Sequence, residues 1–329
     1  MTSLLHRRAL GSALVACAIL SMSACGSPSG PAASSCQGDA RPLVIATGNA
    51  TGVYAALGDV LAGQITASTP MKATAIQTGS TLRNVQQLSS GEYDVAFAQA
   101  DSAADAVRGQ GVFAEPQKLR ALARVYSDYV HVVATKSSGI KTMADFRGKR
   151  ISTGSSSSGT ELIAGRLLTA AGLDPKRDVT AQSLDLVATV AAIKAGSIDG
   201  FVWSGGLPTG GVADLFASSG AQLDLVDASG LLASLQKINS VYAAGTIPAG
   251  VYGTAADVPA IEIPNLLVVR DDFPANDACA ITKTLLEKKA DLVKAVPAAT
   301  GIDPRTALDT APLELNPGSH TAIAQLTTG

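Results

Sequence analysis

From residue 41 onward the chain alternates short apolar runs with longer amphipathic segments, and it does so twice on one plan. Runs at 43–47, 71–77 and 93–98 read as strands, with helices predicted over 52–65, around 82–88 and over 102–108. Two further strands are predicted at 119–126 and 131–135, the latter broken off by the polar turn Ser137-Ser138-Gly139. The arrangement then recurs, with strands at 150–153, 179–182 and 198–203 and helices at 159–171 and 186–195. Tyr93 lies 50 residues past Leu43, and Ile198 lies 48 past Arg150. Gly91-Glu92-Tyr93-Asp94 and Gly196-Ser197-Ile198-Asp199 punctuate the two halves in the same way, closing a helix and opening a strand. Such alternation selects an α/β fold, here with two lobes. After Gly205 the pattern loosens: helices are predicted at 213–218, 230–236 and 275–293, an extended piece at 246–248, a strand at 264–270 and a Pro-interrupted tail at 308–328. The expected division is lobe one over 41–134, lobe two over 135–267, and a return over 268–329 that completes lobe one. Two crossovers make a hinge, and open α/β sheets take their ligands at the carboxyl ends of the strands.

The first 40 residues read differently. Met1 to Arg8 is a basic start, and Ala9 to Ala24 is an uncharged run of small and apolar residues, the layout of an export signal over 1–24. Ser21-Met22-Ser23-Ala24-Cys25-Gly26 resembles a bacterial lipobox, which makes Cys25 the expected site of lipidation. Leu14-Val15-Ala16-Cys17 is a rival box with a short apolar region, and a plain secretory signal is the third reading. Residues 25–40 are rich in Gly, Pro, Ser and Ala and read as a flexible tether between a lipid anchor and the body. The implied location is the outer face of the cytoplasmic membrane. In that oxidising setting Cys36 and Cys279 are the two remaining thiols, either paired as one disulfide or left as a free Cys36 and a buried Cys279.

Charge narrows the partners. The formal net charge of −2 becomes −4 once Arg7 and Arg8 are removed with the signal. No basic tract of five or more occurs, which argues against nucleic acid. His131 and His320 have no Cys or His nearby in sequence, so no metal set is expected.

Three loops after strands carry the chemistry. Thr47-Gly48-Asn49-Ala50-Thr51-Gly52 leads into a helix that carries Tyr54 in its first turn. Thr78-Gly79-Ser80-Thr81 does the same with a hydroxyl as N-cap. Thr153 to Glu161 packs six hydroxyls and two glycines ahead of a helix, an anion cradle of N–H and O–H donors. Its glycines have the spacing of a phosphate loop, but Thr160-Glu161 stands where a Lys is needed, so a carboxylate suits it better than a nucleotide. Gln99 and Asp101 end one strand, and Trp203 and Ser204 end its counterpart. Tyr126, Tyr129 and His131 fall near the crossover, with core packing as the plain account of His131. Arg83, Arg124 and Arg166 are candidates for a positive charge in the crevice. Neither a Gly-x-Ser-x-Gly elbow nor a His-rich site is present, so these parts assemble into a binder that needs no cofactor rather than an enzyme.

The ordered set of motifs resembles the TAXI family, the substrate-binding receptors of one class of TRAP transporter. It runs from Ile45-Ala46-Thr47-Gly48 and Gly52-Val53-Tyr54 through Thr78-Gly79-Ser80 with Asn84, the two Gly-x-x-Asp turns, and Gln99 with Asp101. Asp145-Phe146-Arg147-Gly148-Lys149-Arg150, Ser158-Gly159-Thr160-Glu161 and Ile247-Pro248-Ala249-Gly250 complete it. The resemblance implies a type II periplasmic-binding-protein fold that closes on a small carboxylate-bearing solute, glutamate, glutamine or a related organic acid. A monomeric body would hand that solute to TRAP membrane permease subunits. By motif matching it implies a ligand set of Gly48, Asn49, Tyr54, Thr78, Ser80, Gln99, Ser157, Thr160 and Trp203. Ala55-Ala56 replaces the family's second Tyr and its Pro, which implies a crevice either wider there or shaped for another solute. A ligand sensor and an extracellular enzyme on the same fold are the alternatives.

Overall fold

In the computed structural model the described residues are 36–327, apart from Thr51 and Ser80. The expected signal, the tether up to residue 35 and Cys25 lie outside them. Residues 34–329 form one unit.

Among the described residues, ten strands and ten α-helices follow in chain order. The first part holds β1 (Pro42–Ala46), α1 (Val53–Ser68), β2 (Lys72–Ile76), α2 (Thr81–Ser89), β3 (Val95–Gln99), α3 (Ala100–Arg108) and β4 (Leu119–Thr135). The middle holds β5 (Arg150–Ser152), α4 (Gly159–Ala170), β6 (Thr180–Gln182), α5 (Leu186–Lys194), β7 (Gly200–Gly205), α6 (Gly210–Ser219), β8 (Leu223–Leu225), α7 (Leu232–Ile238) and β9 (Ala243–Ile247). The chain ends with β10 (Val258–Arg270), α8 (Ala275–Glu287), α9 (Lys289–Ala295) and α10 (Pro317–Thr327). All strands join one sheet, whose main order is β2-β1-β3-β10-β4-β7-β5-β6.

Two long antiparallel neighbours, β4 and β10, organise that sheet into two lobes. The late part of β10 pairs with β3 (Asn265 opposite Gln99), while its early part pairs with β9 (Val258 opposite Ile247). Along β4, Leu119 to Arg124 face the end of β10, and Tyr129 to Ala134 pair with β7. Each lobe therefore owns one end of both strands. The sequence reading splits the β4 region into two strands with a break over residues 127–130, yet the backbone stays extended through all 17 residues. Ladder pairing with β10 sustains it there, Ser127 opposite Pro264 and Asp128 opposite Ile263. The polar pair interrupts the apolar run because it sits where the two cores stop.

Each lobe packs helices on both sheet faces, which buries its strands as continuous apolar runs. In lobe one, Leu57, Leu61 and Ile65 of α1 meet Phe97, Leu122 and Ile281, while Val85 and Leu88 of α2 pack beneath Leu266 and Val268. In lobe two, Ile163 and Leu167 of α4 lie on Ile151 and Val202, and Leu215 and Phe216 of α6 cover Phe201 on the other face. Helix α1 stops where Thr69 turns both its N–H and its Oγ1 back onto the Ile65 carbonyl, at 2.9 and 2.8 Å, just before Pro70. The predicted helix over 275–293 is two, α8 and α9, broken at Lys288. Cys36 and Cys279 are joined by a disulfide, Cα–Cα 4.9 Å, which fastens the start of the described chain to α8.

Candidate functional site

Four strand-to-helix connections converge between the lobes, two from each. In lobe one, β1 is followed by Thr47, whose carbonyl is held by the Asn84 amide at 2.6 Å and by the Thr78 hydroxyl at 2.9 Å. Asn84 also donates to the Phe97 carbonyl at 2.8 Å, so one buried amide fixes the ends of β1 and β3 together. This anchoring leaves Gly48 and Asn49 to turn over the crevice and Gly52 to open α1 with extended backbone. Tyr54, in the first turn of that helix, stacks on Phe97 with ring centroids 5.1 Å apart and hydrogen-bonds through its hydroxyl to Asn265 Oδ1.

In lobe two the loop after β5 is shaped by Gly154 at φ +89°, where a Cβ would fall 2.6 Å from the Thr160 side chain. Ser158 caps α4, its Oγ accepting from the Glu161 N–H at 3.0 Å, and the Glu161 carboxylate accepts from the Ser157 N–H at 2.7 Å. Thr160 Oγ1 accepts from the Ser204 N–H at 3.2 Å, tying the first turn of α4 to the end of β7. Gly205 and Gly206 then lead to Thr209 and the start of α6.

These loops wall one cavity with about 750 Å³ of non-atom space, its open mouth included. Of the sequence-predicted residues, Gly48, Asn49, Tyr54, Gln99, Thr160 and Trp203 line it. Thr78 does not: its hydroxyl is spent behind the wall on the Thr47 carbonyl and on Asn84. Ser157 is exposed on the outer side of its loop at φ +59°, and neighbouring Ser155 and Ser158 line the cavity instead. Ser80 lies outside the described residues. Ser204, a strand-end candidate in the sequence, lines it too, as do Thr81 of the second loop and Tyr126 near the crossover, both outside the expected ligand set; sequence reasoning missed Asp128 and Thr209. For Asp128 the signal was present, a polar pair in the middle of an otherwise apolar strand.

Asp128 is the one formally charged side chain among the described lining residues. It is buried, and its Oδ2 accepts from Gln99 Nε2 at 2.6 Å and from Ser204 Oγ at 3.3 Å. Burial pushes its carboxyl up to about 6, with the hydrogen-bonding groups of Gln99, Asn265 and Ser204 pulling against that rise. None of the three candidate arginines reaches the wall. Arg83 is exposed beside Gln87, Arg124 pairs with Glu262 at 2.8 Å, and Arg166 pairs with Asp101 and Asp105. His131 is a core residue between Tyr252 Oη (2.8 Å) and the Trp203 carbonyl (3.3 Å), and burial lowers its pKa to about 4. The hydroxyls of the wall thus have neither a histidine nor a lysine beside them among the described lining residues. Among the described residues no group of three His, Cys, Asp or Glu could hold a metal ion, and no helix is long and apolar enough to cross a membrane.

Residues 45–322 match the model of the NMT1-like family, most of the chain and all of the cavity-forming loops. The chain belongs to the NMT1-like family. Its two-lobed architecture is that of type II periplasmic-binding proteins, to which solved structures at low identity are similar. One from Bordetella bronchiseptica is 19% identical, with 88% of this chain and 89% of that one covered and a TM-score of 0.53. A binding-protein component of an ABC phosphonate transporter from Pseudomonas aeruginosa is 12% identical over 79% of each chain, with a TM-score of 0.52. A Xanthomonas citri protein bound to ATP is 14% identical, covering 87% and 96%, with a TM-score of 0.51. At these identities the likeness establishes the fold of this NMT1-like protein, and its ligand has to be argued from the cavity.

Proposed function

We propose that this NMT1-like protein is an extracytoplasmic solute-binding receptor of the TAXI type, which closes its lobes on a small carboxylate-bearing solute and delivers it to a TRAP permease. One observation carries the reading: the first turns of α1, α2, α4 and α6, two from each lobe, all line a single cavity. Helix starts present unpaired N–H groups and the positive ends of their dipoles, which favour an anion without any formal cation. Ser155, Ser158 and Thr160 add hydroxyls to the same wall. Several charge-assisted hydrogen bonds of roughly 1.5–3 kcal/mol each suffice for micromolar affinity after ordering costs.

The ligand set proposed is Gly48, Asn49, Tyr54, Gln99, Ser155, Ser158, Thr160 and Trp203. Asp128 and Asn265, where the strands change lobes, form the hinge on this reading, and lobe closure is the signal a permease reads. Acylation of Cys25 would keep the receptor at the membrane. Delivery to an ABC permease is the second reading, favoured by the stated role of the Pseudomonas aeruginosa protein of similar fold.

The test is calorimetry on the mature protein after native mass spectrometry has shown what co-purifies. Replacing Ser155 by Ala together with Thr160 by Val should weaken a carboxylate ligand by at least about tenfold. Equal affinity in that double variant rejects the cradle.

A further inference from the structure

Eight buried side-chain polar atoms lack a hydrogen-bond partner among the described residues, and five of them gather at this one cavity. Gln99 Oε1, Asp128 Oδ1, Ser155 Oγ and Trp203 Nε1 belong to lining residues, and Asn265 Nδ2 belongs to the residue bonded behind Tyr54. Unsatisfied buried groups are few in native interiors, and each needs a partner or an explanation. Their clustering here is not what random imperfections of packing would give.

The five sort into two kinds. Trp203 Nε1, Ser155 Oγ and Asn265 Nδ2 can donate, and the first two, on the cavity wall, suit the carboxylate already proposed. Asp128 Oδ1 and Gln99 Oε1 can only accept. Their orientation is fixed by chemistry: the Gln99 amide has to turn its nitrogen to Asp128 Oδ2, so its oxygen points the other way. That oxygen rests over Gly159, where a Cβ would fall 1.6 Å from it. Asp128 is 5% exposed, so its idle oxygen has little solvent to rely on. A buried carboxylate oxygen facing a cavity without any described basic residue repels a second anion and attracts a cation.

We infer that the cavity selects ligands bearing a protonated nitrogen, which lodges against Asp128 Oδ1 and Gln99 Oε1 while the ligand's carboxylate takes the donors across the wall. The inference rests on the receptor reading and narrows it: solutes with carboxylates alone are rejected, and Asp128 is the residue that rejects them. A carboxyl with a pKa of about 6 in the empty site is largely ionised at neutral pH, as the pairing needs. The titratable groups facing it are the buried hydroxyls of Tyr54 and Tyr126 and the carboxyl of Asp101. Both tyrosine pKa values are raised well above the usual range by burial, so both stay neutral.

The experiment is calorimetry of mature wild-type protein against the proteinogenic amino acids and against the matching acids that lack the amine, glutarate for glutamate and succinate for aspartate. At least one amino acid should bind with a Kd below about 10 µM, and its deaminated match should bind about 100-fold more weakly. Asp128→Asn should abolish that preference, weakening the amino acid by about 100-fold and leaving the deaminated acid within about threefold. Three results overturn the inference: equal binding of both members in the wild type, a preference that survives Asp128→Asn, or no amino acid bound at about 1 mM. The wild-type comparison stands even if the variant fails to fold. Amino-acid amides, which keep the nitrogen and lose the carboxylate charge, separate the two readings. Tight amide binding would reject the carboxylate reading and leave the nitrogen site standing, whereas tight glutarate binding would do the reverse. A site filled by ordered water only would show no amine preference at all.

Discussion

Two buried carboxylates, Asp101 and Asp128, meet opposite fates in this molecule. Asp101, at the start of α3 in lobe one, is fully enclosed and fully employed. Its oxygens take the Ser102 N–H at 2.7 Å, the Tyr242 hydroxyl at 2.7 Å and the Arg166 guanidinium at 3.4 Å. Arg166 also donates to Asp105 and, at 2.6 Å, to Tyr242, while Asn239 donates to the Asp101 carbonyl at 3.1 Å. Arg166, Asn239 and Tyr242 all belong to lobe two, so this cluster is a bolt between the lobes. Asp128 is as buried but has one idle oxygen and no cation. Burial raises both carboxyl pKa values; at Asp101 the guanidinium and the Tyr242 hydroxyl are the main forces against it, whereas Asp128 has only neutral donors. A satisfied buried charge holds a structure in one arrangement. A half-satisfied one costs stability until something arrives.

That contrast gives opposite signs to similar substitutions. The largest effect should come from Arg166→Met, which strands Asp101 and Asp105 in the interior; chemical denaturation should show a loss of about 3–5 kcal/mol. Next, Asp128→Asn should stabilise the ligand-free protein by about 3 kcal/mol at neutral pH, following from about 1.4 kcal/mol per pKa unit across a rise of roughly two units to about 6. Thermal melting that finds this variant less stable than wild type would erase the contrast.

The pH dependence sharpens it further. A carboxyl whose folded pKa lies above its unfolded value of about 3.9 favours folding when protonated, and that contribution is lost as pH rises through the folded value. The melting temperatures of wild type and Asp128→Asn should therefore nearly coincide near pH 4 and separate progressively between pH 4 and about 6, the variant melting higher. A constant gap across that range would place the cost elsewhere. The smallest effect should be that of Gly159→Ala, whose added methyl displaces the Gln99 carboxamide. Calorimetry should find affinity reduced by roughly tenfold, with stability changed by about 1 kcal/mol.

Much of this architecture was legible before any coordinates. The doubled strand–helix alternation announced α/β lobes, because helices on both faces of a sheet leave apolar runs with nowhere else to go. Gly-containing loops after β1, β2 and β5 announced a cavity wall, since such loops bring backbone donors close to a ligand. Function of individual hydroxyls was not legible. Thr78 and Thr160 look alike in sequence, yet Thr78 is consumed by the β1 carbonyl and Asn84 while Thr160 reaches the cavity. The same chemistry serves a turn or a ligand, and only packing decides which. The arginines illustrate the matching limit. Arg166 meets its acids across the gap between lobes, 61 and 65 residues away in sequence, and no local pattern encodes that meeting.

The bond between Cys36 and Cys279 has a mechanical meaning. Any pull arriving along the chain ahead of Cys36 enters the folded body through a covalent link to α8 instead of through the hydrogen bonds of β1. Lobe one would carry that tension internally, and the two shared strands that suspend lobe two would feel none of it. On the receptor reading proposed above, the grip on a solute would then stay the same whatever tension reaches Cys36.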